Sequence, residues 1–318
     1  MNKKGWDMKI QFKVVVLTMI GFAMASCQTM KDVTSTAGEV VGDDEMALAK
    51  ADLDPKQVVQ IGRDMSVALV EKYPLVEDDR VISYLNKVGQ YVAMHLDSGP
   101  KNVKCGGGKE KLLPAEGFRF AALKTDEKIA MSFPGGYVYV STGMLKDIKS
   151  EDQLAALLAH EATHVVCQDG LAEIENAALK KGVSKAAEGG MSLAKEAGVG
   201  VDTGDDTVDG VLESEATDAV SGLIAKAYEN FFQNPFSRSQ EKVADRGALL
   251  AVYRAGYFPG DYIAFTQSLK ADQSSRHPAS AERVAWLKKD YAKMAKKGVQ
   301  NTQAARAKRF AEFKKLIL

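Results

Sequence analysis

From residue 55 onward the apolar positions fall into helical spacing. Val58, Ile61, Met65, Leu69 and Val70 recur at intervals of three and four, predicting a helix from Pro55 that stops near Pro74. A second helix is expected over 78–96, with Val81, Ile82, Leu85, Val88, Val92 and Met94 on its apolar side and His95 as a solvated or capping residue at its end. Residues 98–117 read as loop. The stretch 118–123 alternates as a strand does, a Ser132-Phe133-Pro134-Gly135-Gly136 turn follows, and Tyr137-Val138-Tyr139-Val140-Ser141 is a short β-rich run. Ser150-Glu151-Asp152-Gln153 carries a capping signature and opens a helix through Leu154, Leu157, Leu158, Val165 and Val166 to a stop at Gly170. Residues 171–201 have helical character, 201–210 read as an acidic, glycine-bearing loop, and 214–232 as another helix. Ser237 or Ser239 starts the next helix, which runs to Ala255 before Gly256, and Arg276-His277-Pro278 opens the last ordered elements. The pattern is that of a mainly α-helical α+β protein with one small sheet, without internal repeats.

The first 26 residues differ in kind. Lys3, Lys4, Lys9 and Lys13 precede an apolar run over 14–25, too short to span a bilayer, which ends in Met24-Ala25-Ser26-Cys27. That is the layout of a bacterial lipoprotein signal. The expectation is cleavage after residue 26, acylation of Cys27, and a small, polar and acidic tether over 27–54, with a plain secretory signal as the alternative. Gln28 after the cysteine favours the outer membrane, facing the periplasm, of a bacterial envelope. The 318 residues hold 42 basic and 42 acidic side chains, so no global field points to nucleic acid. Without 1–26 the net charge is −3, and residues 288–318 carry ten Lys/Arg against two acids. This basic tail is expected to be a solvated helix, with contact to anionic lipid or an acidic partner as the second possibility. Cys105 and Cys167 remain, either paired or as two buried or free thiols.

The chemistry concentrates at His160-Glu161-Ala162-Thr163-His164. Residues four apart share a helix face, so His160 and His164 can present ring nitrogens to one zinc ion. Glu161 lies one position on, where a carboxylate can take a proton from the attacking water. The apolar residues around the motif make this a core-facing helix, and two histidines there need partners to offset desolvation. A metal supplies both. A catalytic zinc wants a third protein ligand, for which Glu241 in Ser-Arg-Ser-Gln-Glu-Lys-Val-Ala-Asp-Arg is the best candidate. Asp245, on the same helix face, could accept the outer N–H of a ligand histidine. Taken alone, that segment could also be an exposed, charged helix start.

Four motifs in order make residues 55–287 resemble a zinc metallopeptidase family. They are Phe-Pro-Gly-Gly-Tyr-Val-Tyr-Val-Ser-Thr-Gly, then Leu-Leu-Ala-His-Glu-Ala-Thr-His, then Ser-Arg-Ser-Gln-Glu-x3-Asp-Arg, then His277-Pro278 with Arg283 beyond. The family includes the CAAX prenyl endopeptidases and the HtpX-type and Oma-type proteases. The likeness extends in particular to envelope lipoprotein members of the LoiP and BepA type. The resemblance implies a gluzincin-type domain holding one zinc per chain on His160, His164 and Glu241, with Glu161 as general base and Asp245 behind the ligands. It gives His277 and Arg283 catalytic places, His277 as a transition-state helper or a latch on the metal. It makes Tyr137–Ser141 the edge strand beside the zinc-motif helix, so that Gly135, Gly136, Tyr137, Val138 and Tyr139 would bind substrate by backbone pairing. Two positions depart from the family: Ile129 stands where Asn is usual, and Asp169 where a histidine often follows the motif.

The expectation is therefore a membrane-anchored endopeptidase acting on unfolded or misassembled envelope proteins, a substrate class implied by the resemblance. The alternative is a non-catalytic or latched chaperone or assembly lipoprotein that keeps the zinc site. Asp205-Asp206-Thr207-Val208-Asp209-Gly210 looks like half of a calcium loop but lacks the closing Glu, Ala216 holding that place.

Overall fold

A computed structural model describes residues 55–96, 105, 113–174, 236–269, 277, 280–295 and 303–318. The expected signal segment with Cys27, the expected tether, the calcium-like sequence at 205–210 and the helix expected over 214–232 lie outside the described residues.

Helix α1 (Pro55–Lys72) and helix α2 (Asp79–Ala93) arise where the periodicity puts them. Asp78 caps α2 by accepting from the Arg80 N–H. Its buried stripe is Val81, Leu85, Val88 and Val92, whereas Ile82 and Met94, expected on the apolar side, are exposed. They lie off the i, i+4, i+7 line that the core contacts. At its end His95 bonds the Tyr91 carbonyl through Nδ1.

Three strands follow: β1 (Arg119–Leu123), β2 (Ala130–Phe133) and β3 (Tyr137–Ser141). The spatial order is β1-β3-β2, with β3 parallel to β1 and antiparallel to β2. The run Tyr137–Ser141 is thus the central strand, not the edge expected from the resemblance. Its composition carries the reason. Val138 and Val140 face one apolar cluster while Tyr137 and Tyr139 face the other, and a strand buried on both sides reads as an unbroken apolar run. The edge beside the zinc-motif helix is β2, half of which falls in the segment read as a turn.

Between β2 and β3 the chain makes a tight turn over Pro134–Gly136. Gly135 has φ 77°, and a Cβ there would stand 2.6 Å from the Val59 Cα, so α1 can lie against the turn only because it lacks one. The outer edge of β1 is covered by side chains of α2: Asn86 donates to the Phe120 carbonyl and accepts from its N–H, and Gln90 donates to the Phe118 carbonyl.

A short helix α3 (Thr142–Asp147) leads to helix α4 (Glu151–Val166), all of whose residues are buried. Ser150 caps it by accepting from the Gln153 N–H. Helix α5 (Arg238–Arg254) begins with a complete capping box, Ser237 and Gln240 each accepting from the other's backbone N–H, and ends before Gly256 at φ 77°. It packs along α4. Helix α6 (Pro259–Ser268), which the hydrophobic pattern did not single out, and helix α7 (Ser280–Ala295) complete that side.

The tail ends in helix α8 (Ala307–Ile317), which packs one face against the domain instead of standing free in solvent. Phe310, Phe313 and Ile317 are buried in the main core, and Phe313 stacks on Tyr84 of α2 with centroids 4.3 Å apart. Three of the tail's cations find partners on the domain. Arg306 pairs with Asp152 at 2.6 Å, Arg309 pairs with Glu151, and Lys314 donates to the carbonyls of Leu145, Lys146 and Ile148. These three side chains hold the start of α4 and the end of α3. Cys105 and Cys167 are disulfide-bonded, which settles the choice left open between a bridge and free thiols.

Candidate metal centre

Helix α4 carries the motif through the middle of the core. His160 and His164 sit one turn apart with their rings edge to face, and their Nε2 atoms converge to 3.2 Å. Helix α5 brings Glu241 to the same point: its Oε1 is 3.5 Å from His164 Nε2 and its Oε2 is 3.5 Å from His160 Nε2. The approach depends on Gly247, where a Cβ would lie 2.5 Å from the Thr163 side chain on α4. His277 joins from the segment before α7, its Nδ1 2.7 Å from Glu241 Oε1 and its Nε2 3.8 Å from Glu161 Oε1. The donor atoms of His160, His164, Glu241 and His277 all lie within 4.8 Å of one another.

The outer nitrogens of the two motif histidines are each met by a carboxylate. Asp245 Oδ1 lies 3.1 Å from His160 Nδ1, the place that sequence reasoning assigned it. Tyr262 from α6 joins them, donating to Asp245 with its hydroxyl oxygen 3.0 Å from His160 Nδ1. Arg283 donates to both Asp245 oxygens, at 3.0 and 2.6 Å, and Trp286 Nε1 donates to Oδ2 at 2.6 Å. Arg283 is 4% exposed and reaches the outer nitrogen of the His160 ring, so its guanidinium holds Asp245 on the side of that ring away from the donor cluster. On the other histidine, His164 Nδ1 donates to Asp169 Oδ2 at 2.7 Å. Sequence reasoning noted Asp169 only as a departure from the family. Its spacing of five from His164 is not a helix-face spacing, so no periodic signal could have paired them. Phe236 stacks on the His164 ring, with centroids 4.2 Å apart.

The electrostatics suit a cation. Burial works to raise the Glu241 carboxyl, but the charge of His277 and the hydrogen bond from His164 outweigh it and hold Glu241 well below the usual range. Asp245 is likewise depressed against burial, by the Arg283 charge. His160 is lowered, chiefly by burial and then by Arg283. For His164 burial is overcome by hydrogen bonds to Asp169 and Glu241, which push it up to about 10. Two buried acceptors, Glu161 Oε1 and Glu241 Oε2, have no hydrogen-bond partner among the described residues. An orphaned Glu241 oxygen beside two convergent imidazoles is what a bound zinc would satisfy, so the donor set fits the ion, with the Glu161 oxygen left facing the site. Glu161 itself is anchored from the sheet, accepting from the Ser132 hydroxyl on β2 at 3.1 Å.

The model of "Peptidase family M48" matches residues 109–290. The "Beta-barrel assembly-enhancing protease" of Escherichia coli (strain K12) is 24% identical over 255 residues, 80% of this chain and 44% of that protein. The protein of the same name from Yersinia pestis is 25% identical over 201 residues, 63% of this chain and 35% of that protein. A "Putative beta-barrel assembly-enhancing protease" of Vibrio cholerae is 28% identical over 144 residues, 44% of this chain and 26% of that protein. This chain spans less than half the length of these relatives. With a match over more than half of its residues, and with the motif histidines and Glu241 gathered at one point, the chain belongs to peptidase family M48.

Proposed function

We propose that this protein is a zinc metalloendopeptidase of the bacterial envelope that cleaves unfolded or misassembled proteins. The observation that carries the reading is the orphaned Glu161 Oε1 beside the His160, His164 and Glu241 donors. A purely structural zinc site needs four ligands and no base, whereas here the buried Glu161 carboxylate adjoins the donor set as a further group. His160, His164 and Glu241 would hold the ion, which supplies Lewis acidity to the attacked carbonyl and the attacking water. Glu161 takes the proton of that water and returns it to the leaving amine, and Ser132 keeps the carboxylate turned toward the site. The substrate lies extended along the outer edge of β2. Strand β3 has partners on both sides, and β2 has none on its outer side among the described residues. Gly135 and Gly136 then shape the turn that ends this edge, and Tyr137, Val138 and Tyr139 support it from the next strand.

The envelope setting is supported by the lipoprotein-like residues 1–27, by the Cys105–Cys167 disulfide, which suits an oxidising compartment, and by the names of the relatives. Anchoring through an acylated Cys27 predicts that Cys27→Ser moves the protein from the membrane fraction to the soluble one. Retention of that variant with outer membranes would count against a lipid anchor.

His277 favours a second reading of the resting state. Its ring stands within the donor cluster and hydrogen-bonds Glu241, as a side chain closing the fourth metal position would. In that reading the chain holds zinc but stays latched, acting as an assembly factor until the latch opens. The deciding experiment measures zinc content and cleavage of an unfolded protein, with and without chelator, for the intact chain, Glu161→Gln and His277→Ala. Chelator-sensitive cleavage that Glu161→Gln abolishes while keeping its zinc supports the peptidase. Zinc without cleavage, even in His277→Ala, supports the non-catalytic alternative.

A further inference from the structure

The way α4 ends decides which group faces His164. The helix stops at Val166, Cys167 caps it with its N–H toward the Thr163 and Val165 carbonyls, and Gln168 then takes φ 56°. Gln168 is the one non-glycine residue in the left-handed region among the described residues. Had the helix continued, residue 169 would stand well around the axis from residue 164 and could not meet its ring. The left-handed residue turns the chain back, and Asp169, 4% exposed, reaches His164 Nδ1 at 2.7 Å.

A glutamine adopts this conformation only when its surroundings impose it. On the far side, Leu171 and Ile174 are seated in the apolar cluster under α1, and the Ala172 N–H donates to the Gln168 carbonyl. On the near side the constraint is covalent. Cys167, the residue immediately before, is bonded to Cys105, which is 62 positions away and 3% exposed in the main core. The bridge therefore fastens the last turn of the zinc-motif helix at the point where the chain reverses. Asp245, the carboxylate on the other histidine, is held by Arg283, Tyr262 and Trp286. Among the described residues Asp169 has no such side-chain cradle, its one side-chain partner being His164, and its placement rests on the backbone path.

We propose that the Cys105–Cys167 disulfide positions Asp169 as the carboxylate that orients His164, so that the oxidised chain holds zinc more tightly than the reduced one. The inference rests on the zinc-site reading above. A dithiol or phosphine reductant delivers two electrons to the S–S bond, which breaks to two thiols as two protons are taken up. The reductant is oxidised in the same step. The end of α4 is then tied only by its packing, Gln168 can leave the left-handed region, and Asp169 swings off the His164 ring. The site thereby couples metal retention to the redox state of its compartment.

The test measures zinc affinity, by competition of the apoprotein against a chromogenic chelator, and circular dichroism as a check on folding. The samples are the intact oxidised chain, the same chain reduced with a phosphine, Cys105→Ser/Cys167→Ser, Asp169→Asn, the triple variant and Gln168→Val. Asp169→Asn should weaken zinc binding by roughly 10- to 100-fold, the usual range for loss of a carboxylate behind a ligand histidine. The reduced chain and the double serine variant should show most of that loss, and adding Asp169→Asn to the latter should change little. Should the serine variant not fold, Gln168→Val decides, because it disfavours the reversal while leaving both sulfurs in place. Wild-type affinity in the folded reduced chain or in Gln168→Val overturns the proposal, as do fully additive losses in the triple variant. Failure of the intact oxidised chain to bind zinc would overturn the zinc-site reading instead, so the two failures are distinct.

Discussion

At the scale of single residues, the site is a set of buried charges that satisfy one another only in combination. Asp245 is fully buried and accepts from Arg283, Tyr262 and Trp286 while meeting His160. Removing the guanidinium strands a buried carboxylate, which costs far more than an exposed pair is worth. Arg283→Ala should lower unfolding stability by about 3–5 kcal/mol in a urea titration. Because the arginine touches the back of His160, zinc affinity should fall as well. A stability change within error would contradict the buried network. Glu161 should behave oppositely: Glu161→Gln is nearly isosteric, keeps the hydrogen bond from Ser132, and should leave zinc and stability in place. Peptide cleavage in that variant should drop by roughly 10²–10⁴-fold, the range for loss of a general base.

At the scale of elements, the donor set is a product of how closely α4 and α5 approach. Gly247 faces Thr163, and the Thr163 side chain is short, branched and bonded to the Ala159 carbonyl, so it has nowhere to go. Gly247→Val should force the helices apart at a cost of about 1–3 kcal/mol. It should also carry Glu241 away from both histidines, cutting zinc affinity at least about tenfold. A folded Gly247→Val chain with full zinc affinity would show that the approach is not limiting. The cap at Ser150, the helix starts near Asp78 and at Ser237 or Ser239, and the spacing of His160 and His164 were legible in the sequence, because helix starts and faces are set by residues three or four apart; the structure chooses Ser237. Strand order was not. Ala130–Phe133 has no alternation of its own and becomes a strand by pairing with β3, which takes the centre of the sheet because both its faces are covered.

At the scale of the whole molecule, the C-terminal residues close the domain around the start of the zinc-motif helix. Glu151 and Asp152 open α4 and are buried, and Arg309 and Arg306 arrive from more than 150 residues away to pair with them. Burial works to raise the Glu151 carboxyl, but hydrogen bonds from Arg309 and Tyr84 prevail and hold it below its ordinary value. A depressed folded pKa gives stability that is complete above the unfolded carboxylate pKa, about 4.3. That stability is lost as pH falls through the folded value. Urea midpoints should therefore decline below about pH 4, and Arg309→Ala should flatten that decline. At neutral pH the same variant should cost about 1–2 kcal/mol, since Tyr84 and Tyr257 still donate to Glu151 and the arginine is over half exposed. An unchanged acid limb would show that the pair does not hold the domain closed.

By itself the amino-acid sequence determined the helices that carry a clear apolar period, the cap at Ser150 and the two motif histidines with their glutamate, and it offered Glu241 and Asp245 as candidates on one helix face. All of these depend on spacings within one helix, or on a motif short enough to be read as it stands. The tertiary structure alone decided that Tyr137–Ser141 is internal, that Arg283 lies behind the ligands, that Asp169 meets His164, and that the basic tail clamps α4. Each of those is a meeting of segments far apart in the chain, or a reversal outside any regular repeat. No local pattern encodes the partner in such a meeting; packing and charge pairing in the folded core select it.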